Sequence, residues 1–302
     1  MAHDKDPWFS YHEGELAVQR RAGVGRGLGA MYRPAMPAGV REFIAEQQLA
    51  ILASIGRDGR LWASLRSGAP GSVTAIDEQT LRIGGYGHPE DPLADNLTAH
   101  DQLGLLIIDL ATRSRLRVNG TAILKPDGAI LLKTKQIYGN CQKYIQARAI
   151  VGTREPLAPV VRRSEQLDAP QQSRIAGADT FFIATAHAEV GADASHRGGL
   201  PGFVRIESVN RLIFPDYRGN RMFNTLGNLE SNPRAGLLFP DFATGDALQL
   251  SGRAAVLWDD PRLAEFPGAQ RLVAFDIEKI IQLAEATHLR FQFAGYSPDL
   301  PR

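Results

Sequence analysis

The chain carries one pattern twice. The run ILASIGRDGRLWASLRSGAPGSV, beginning at Ile51, recurs from Phe182 as FIATAHAEVGADASHRGGLPGFV, and RLRVNGTA recurs as ALQLSGRA. Ser64 and Ser195, Arg66 and Arg197, and Pro70-Gly71 and Pro201-Gly202 stand 131 positions apart, while Asn96 and Asn228, and Gly120 and Gly252, stand 132 apart. A register held through one inserted residue is a duplication. Its period far exceeds the ~20–50 residues of solenoid units. Two copies of one domain follow, and any difference between the copies carries functional information.

The 302 residues suit two such domains with connecting pieces. With 34 basic and 33 acidic residues there is no net field to attract nucleic acid or an anionic membrane, so neither is expected as a partner. The one cysteine, Cys141, excludes an internal disulfide and a multi-cysteine metal site, and no metal site is expected. The start MAHDKDPWFS lacks the basic and apolar regions of a secretory signal, and the most apolar stretch, Leu103 to Leu110, is short and includes Asp109. The expectation is a cytoplasmic protein.

Residues 12–22 and Val40 to Gln48 read as helices. Between them, GVGRGLG (Gly23 to Gly29) follows a helix and precedes no βαβ unit, so it reads as a flexible arm rather than a dinucleotide loop. From Leu49 the chain becomes short apolar runs punctuated by Asp-Gly turns: Leu49–Ile55, Leu61–Leu65, Val73–Ile76, Leu81–Ile83, Leu103–Leu110, Leu116–Leu124 and Ala129–Thr134. About six short strands without long helices between them predict an antiparallel barrel or sandwich. Asp91–His100 and Asn220–Glu230 read as one short helix per copy, and Tyr138–Arg148 as a helix closing the first. A late strand, Leu272–Ile277, and a tail, Leu289–Phe293, complete the second. The expected division is an N-terminal helical arm (1–45), a first barrel (46–152), a proline-bearing linker (153–178) and a second barrel (179–295).

Chemistry concentrates in the second copy, in DASHRGGLPGFVRI and FPDYRGNRMFNTLGNLESNP. Arginines, hydroxyls and a helix start gathered at one barrel end would suit a phosphate, although solvated turns capped by Asn and Asp would read the same way. Ser195 and His196 cannot act as a nucleophile–base pair, because neighbours on a strand point to opposite faces. Nor is there a G-x-S-x-G elbow. His88 and His187 read as surface histidines. Arg113, Arg115 and Arg117 alternate along a strand, as either a solvated face or a basic wall toward the phosphate. Cys141 reads as a packing residue, the alternative being a thiol activated at a helix start.

These second-copy motifs, with Asp-x-Ser-x-Arg-Gly, Pro-Asp-x-x-Gly-Asn-x-Arg and Asn-x-x-x-Asn-Pro in succession, resemble the flavin-binding half of the pyridoxamine 5′-phosphate oxidase-related split barrels. The resemblance covers roughly residues 40–290 and implies a mainly β (α+β) fold: two tandem six-stranded antiparallel Greek-key split barrels with peripheral helices. It implies FMN at a barrel–barrel interface, with Ser195, Arg197, Asn220 and Arg221 on the phosphate and ribityl chain. Phe214, Pro215 and Asp216 would lie along the isoalloxazine edge, and Thr225 would cap from the helix. Two departures stand out: His196 replaces a more usual proline, and the lysine-rich phosphate pattern of true pyridoxamine phosphate oxidases is missing, which argues against vitamin B6 as substrate. The expected function is that of an FMN-dependent oxidoreductase acting on an unknown small substrate, with a nicotinamide electron donor and a homodimer both compatible. The alternative is a non-catalytic flavin- or haem-binding redox or sensor module, and a deazaflavin also suits the fold. No catalytic residue is assigned, because the flavin itself supplies hydride chemistry. Where the second copy has DYRGNRMFNTLGN the first has GYGHPEDPLADNL, so Arg218 and Arg221 give way to Glu90, Asp91 and Asp95. Carboxylates would repel a phosphate, and a degenerate first site with one FMN per chain is expected. The Arg113–Arg117 strand or the Gln142-Lys143-Tyr144 helix would then be within reach of the remaining site.

Overall fold

The computed structural model describes residues 10–24, 32–155 and 158–301. Two helices lead, α1 (Glu13–Arg21) and α2 (Ala38–Glu46). The first barrel comprises β1 (Leu49–Ile55), β2 (Leu61–Ser67), β3 (Val73–Ala75), β4 (Thr80–Ile83), α3 (Leu93–Ala99), β5 (Gln102–Asp109), β6 (Ser114–Leu124) and β7 (Ile130–Gly139). Then come β8 (Ala147–Thr153), β9 (Val161–Ser164) and α4 (Ala169–Gly177). The second barrel comprises β10 (Thr180–His187), β11 (Gly191–Gly198), β12 (Arg205–Ser208), β13 (Arg211–Tyr217), α5 (Asn224–Ser231), β14 (Arg234–Pro240), β15 (Ala247–Leu257) and β16 (Ala269–Leu283). Last is β17 (Leu289–Gly295), which pairs with β8 in a separate two-stranded ribbon.

The duplication extends to topology. The first sheet runs β2-β1-β5-β6-β7-β4-β3 and the second β11-β10-β14-β15-β16-β13-β12, element for element the same path, with β9 added beside β16. Register repeats too: Ser64 lies opposite Leu52 in the β1–β2 ladder, and Ser195 opposite Ile183 in the β10–β11 ladder. These are two mainly antiparallel split barrels with peripheral helices.

Each barrel has its own apolar core, built around Leu52, Leu105 and Leu132 in the first and Phe181, Phe214 and Phe275 in the second. A third core joins them, with Trp62, Leu65 and Ile145 packed among Phe182, Ala194 and Leu238. Equivalent glycines permit this closeness: a Cβ on Gly104 would stand 2.6 Å from Asp193 Cα, and one on Gly236 would stand 2.5 Å from the Leu61 carbonyl oxygen. The barrels therefore meet backbone to backbone. Anything at the end of β11 is shared between them.

Three expectations change. Tyr138–Arg148 is not a helix: β7 runs to Gly139, residues 140–146 form a loop, and β8 starts at Ala147. The carbonyls of Cys141 and Ile145 accept from Arg115 and Arg113 instead of from a helical turn, and Tyr144 takes a left-handed φ of 65°. The helix expected from Asn220 begins only at Asn224, because Arg221 and Phe223 have φ of 65° and 62°. The stretch expected as linker holds β9 and α4, the latter started by a reciprocal Asp168–Gln171 cap. Beyond Val24, the glycine-rich arm lies outside the described residues. Among those described, no helix is long and apolar enough to cross a membrane.

Candidate anion-binding cleft between the barrels

The end of β11 opens into a cleft roofed by loop 140–146 and walled by β6, β13 and the start of α5. Gly198 lets the loop lie down on β11, since a Cβ there would stand 2.0 Å from the Tyr144 carbonyl oxygen. Of the expected site residues, Ser195, Arg197, Pro215, Asp216, Asn220, Arg221 and Thr225 all line this cleft. Phe214 does not. It is 1% exposed and packs edge-to-face on Phe181 within the second-barrel core, so its assignment to the isoalloxazine edge is corrected.

The lining is strongly cationic. Arg115, Arg117, Lys143, Arg197 and Arg221 face it, against the single carboxylate of Asp216. Arg197 donates to Asp216 Oδ1 at 2.6 Å. Burial, with Arg117 and Arg197 alongside, pushes Arg115 down to about 10, a sign that positive charge is crowded there. Arg115 and Arg117 thus form a buried basic wall, not a solvated face. Arg113 departs from them: it precedes β6 in a left-handed turn (φ 58°) and donates to the Ile145 and Tyr296 carbonyls.

Arg117 belongs to the first barrel but completes the second. It donates to Ser195 Oγ at 2.6 Å and to Asp193 Oδ2 at 2.7 Å. Asp193 also accepts from Tyr138 Oη at 2.8 Å and from Asn119 Nδ2 at 3.1 Å. Behind this lies Glu15 of α1, which accepts from Tyr32 at 2.8 Å and from Asn224, a cleft residue. Burial raises the Glu15 carboxyl to about 7. Sequence reasoning placed Asp193 and Asn224 in the polar cluster but gave neither them nor Tyr138 a role, because their partners are 55 to 209 positions away.

Several buried polar atoms here lack a partner among the described residues: Arg117 Nε, Arg197 Nε and both ring nitrogens of His196. Helix α5 starts with no side-chain cap, and its first residues, Asn224, Thr225 and Leu226, line the cleft. Uncapped N–H groups at a helix start and unsatisfied guanidinium N–H groups are the donors that a phosphate accepts from. Tyr144 and Tyr217, with ring centroids 5.1 Å apart, supply aromatic surface beside them.

The equivalent place in the first barrel is closed. Gln249 stands where Arg117 does in the other copy, and Asp91 is drawn inside. Asp91 accepts from Ser64 Oγ at 2.6 Å, from Gln249 Nε2 at 2.8 Å and from the Leu93 N–H at 2.9 Å. A built-in carboxylate thus takes the donors that an anion would need. Arg66 turns to the Gly128 carbonyl.

His88 and His187, expected at the surface, are each 4% exposed. His187 stacks on His12 with centroids 4.1 Å apart and meets Glu13 at 3.1 Å. These three approach like metal ligands. Yet both rings accept backbone N–H groups at Nδ1, and Nε2 faces Asn228 in one and Glu13 in the other. That network protonates Nε2 and leaves no ring lone pair free.

The family model for pyridoxamine 5′-phosphate oxidase matches the chain twice, over residues 36–157 and 167–293. The chain belongs to this family, as a tandem duplication. No curated protein matches it. Solved structures similar to one portion of it include HupZ of Group A Streptococcus (12% identity, 38% of this chain and 98% of that one, TM-score 0.32). Another is a FAD-binding protein from Mesorhizobium loti (15%, 41% and 99%, TM-score 0.30). A third is a protein from Clostridium acetobutylicum related to general stress protein 26 (13%, 40% and 89%, TM-score 0.29).

Proposed function

We propose that the chain is an FMN-dependent oxidoreductase acting on a small substrate, with one FMN per chain in this cleft. The observation that carries the reading is the set of buried, unpaired guanidinium and helix-start donors facing a cleft with five cations and one carboxylate. In this reading Arg197, Arg221, Asn220 and the start of α5 hold the phosphate and ribityl chain, Ser195 is oriented by Arg117, and Thr225 supports them from the helix. Pro215, Tyr217 and Tyr144 border the ring system. FMN, when bound, supplies hydride and electron transfer. The protein's part is to bind and orient the group and, through loop 140–146, to limit water. The fit extends to sign: in the first copy the Asp91 carboxylate takes the Ser64, Gln249 and Leu93 donors, whereas the matching stretch of the second copy brings Arg221 to the cleft.

The visible spectrum of the purified protein, or of the protein after FMN titration, tests the proposal. The expected result is a two-band flavin spectrum that bleaches anaerobically with NADH or NADPH. A single Soret band, or a chain that takes up no flavin, contradicts it. A flavin that no nicotinamide or other donor reduces points to the non-catalytic module instead.

A further inference from the structure

His196 is a cleft residue whose polar atoms have no structural task. It is 4% exposed, its ring lies edge-to-face on Phe182, and neither Nδ1 nor Nε2 has a hydrogen-bond partner among the described residues. Buried polar groups are nearly always paired, so an imidazole with two unpaired nitrogens beside an open cleft calls for a ligand. Four arginines act on it: Arg197 on its own strand, Arg115 and Arg117 from β6, and Arg148 from β8, whose partner is Asp179. Lys143, Cys141 and Tyr144 border the same cleft from the loop, and Asp216 from β13 is held by Arg197.

We propose that His196 contacts the bound anion directly and takes up a proton as the anion arrives, so that ligand binding and protonation are coupled. The proposal rests on the reading of the cleft as an FMN site. Burial first, and then the four guanidiniums, keep the ring neutral. A phosphate dianion reverses the local field. The ring then gains both an acceptor for its N–H and a counter-charge for a second proton. His196 thereby becomes a specificity residue, favouring ligands that bring negative charge over neutral ones of the same shape.

The test is calorimetric. FMN is titrated at pH 7 into the wild-type chain and into His196→Gln, which keeps a donor and an acceptor but cannot protonate, in Pipes and in Tris. Their different ionisation enthalpies report protons exchanged. The wild type should take up about one proton more per FMN than the variant, and the wild-type-to-variant affinity ratio should fall by up to about tenfold per pH unit between pH 6 and 8. The variant comparison removes the phosphate's own titration. Equal proton counts with a constant ratio overturn the proposal while leaving the FMN site standing. A chain that binds neither FMN nor pyrophosphate overturns both. If His196→Gln does not fold, nitrogen NMR of the wild-type imidazole serves: the resonances should shift to the protonated form on adding FMN, and an unchanged neutral ring overturns the coupling.

Discussion

Arg117 reaches across the barrel interface to place its guanidinium 2.6 Å from Ser195 Oγ. At the equivalent position of the other copy, Gln249 reaches back toward Ser64, whose hydroxyl is given to Asp91. One duplication has thus produced one open cationic cleft and one closed by its own carboxylate. Each site is completed by the opposite barrel, as in a symmetric pair of single barrels, but the two are no longer alike.

Removing Arg117 should be costly. Its partner Asp193 is buried, and an ion pair broken from one side costs about 3–5 kcal/mol. Arg117→Gln should lose roughly that in urea denaturation, together with FMN affinity. Adding Asp193→Asn should recover much of the stability but not the affinity. Additive losses in the double variant would show that the two residues are not coupled.

Asp91→Asn should stabilise the chain above neutrality. Burial lifts the Asp91 carboxyl from 3.8 to about 6, so the folded state holds its proton longer than the unfolded state does. Stability from this group is therefore highest below pH 4 and declines as pH rises through 6. An amide does not ionise, and its oxygen can keep the Ser64 and Leu93 bonds while the bond from Gln249, whose Nε2 also serves the Ala63 carbonyl, is given up. A tenfold change in a proton's binding constant is worth roughly 1.4 kcal/mol, so the gain at pH 8 should reach up to about 3 kcal/mol and vanish near pH 4. A pH-independent difference between the two melting curves contradicts this account.

Arg221→Ala should weaken FMN binding by about 10- to 150-fold, the value of a charge-assisted bond of about 1.5–3 kcal/mol. Arg221 sits at the mouth, with only a 3.4 Å contact to the Gly23 carbonyl among the described residues, so folding should be unaffected. Riboflavin lacks the phosphate and should bind wild type and variant alike. Equal losses for both ligands would remove Arg221 from the phosphate site.

Cys141→Ser should leave flavin content and reduction rate within a few-fold. The thiol has no cysteine partner, and Arg115 holds the loop through the Cys141 carbonyl at 3.0 Å, with Sγ a second acceptor at 3.8 Å that a serine hydroxyl can replace. A collapse in rate at normal flavin content would revive a thiol mechanism.

Much of this was legible in the residues. The repeated Ser-x-Arg and Pro-Gly positions announced the duplication, because strand register preserves spacing. Glu90 opposite Arg221, with Asp91 beside it, announced the asymmetry. What stayed hidden was decided by distant partners. Loop 140–146 has a helical composition but lends its carbonyls to Arg113 and Arg115. Phe214 lies beside two cleft residues yet turns into the core. His88 and His187 are buried by packing that no local pattern encodes, and the role of Arg117 depends on Asp193, 76 positions away.

The expected complex is one anionic flavin per chain, held by the second barrel and walled by the first. The direct measurement is the ratio of released FMN to protein after saturation and removal of free ligand, made on the wild type and on Arg117→Gln. A ratio near one for the wild type, lost in the variant, is expected. A ratio near two would mean that Asp91 does not close the first site, and a ratio near zero would mean that the cleft does not hold FMN.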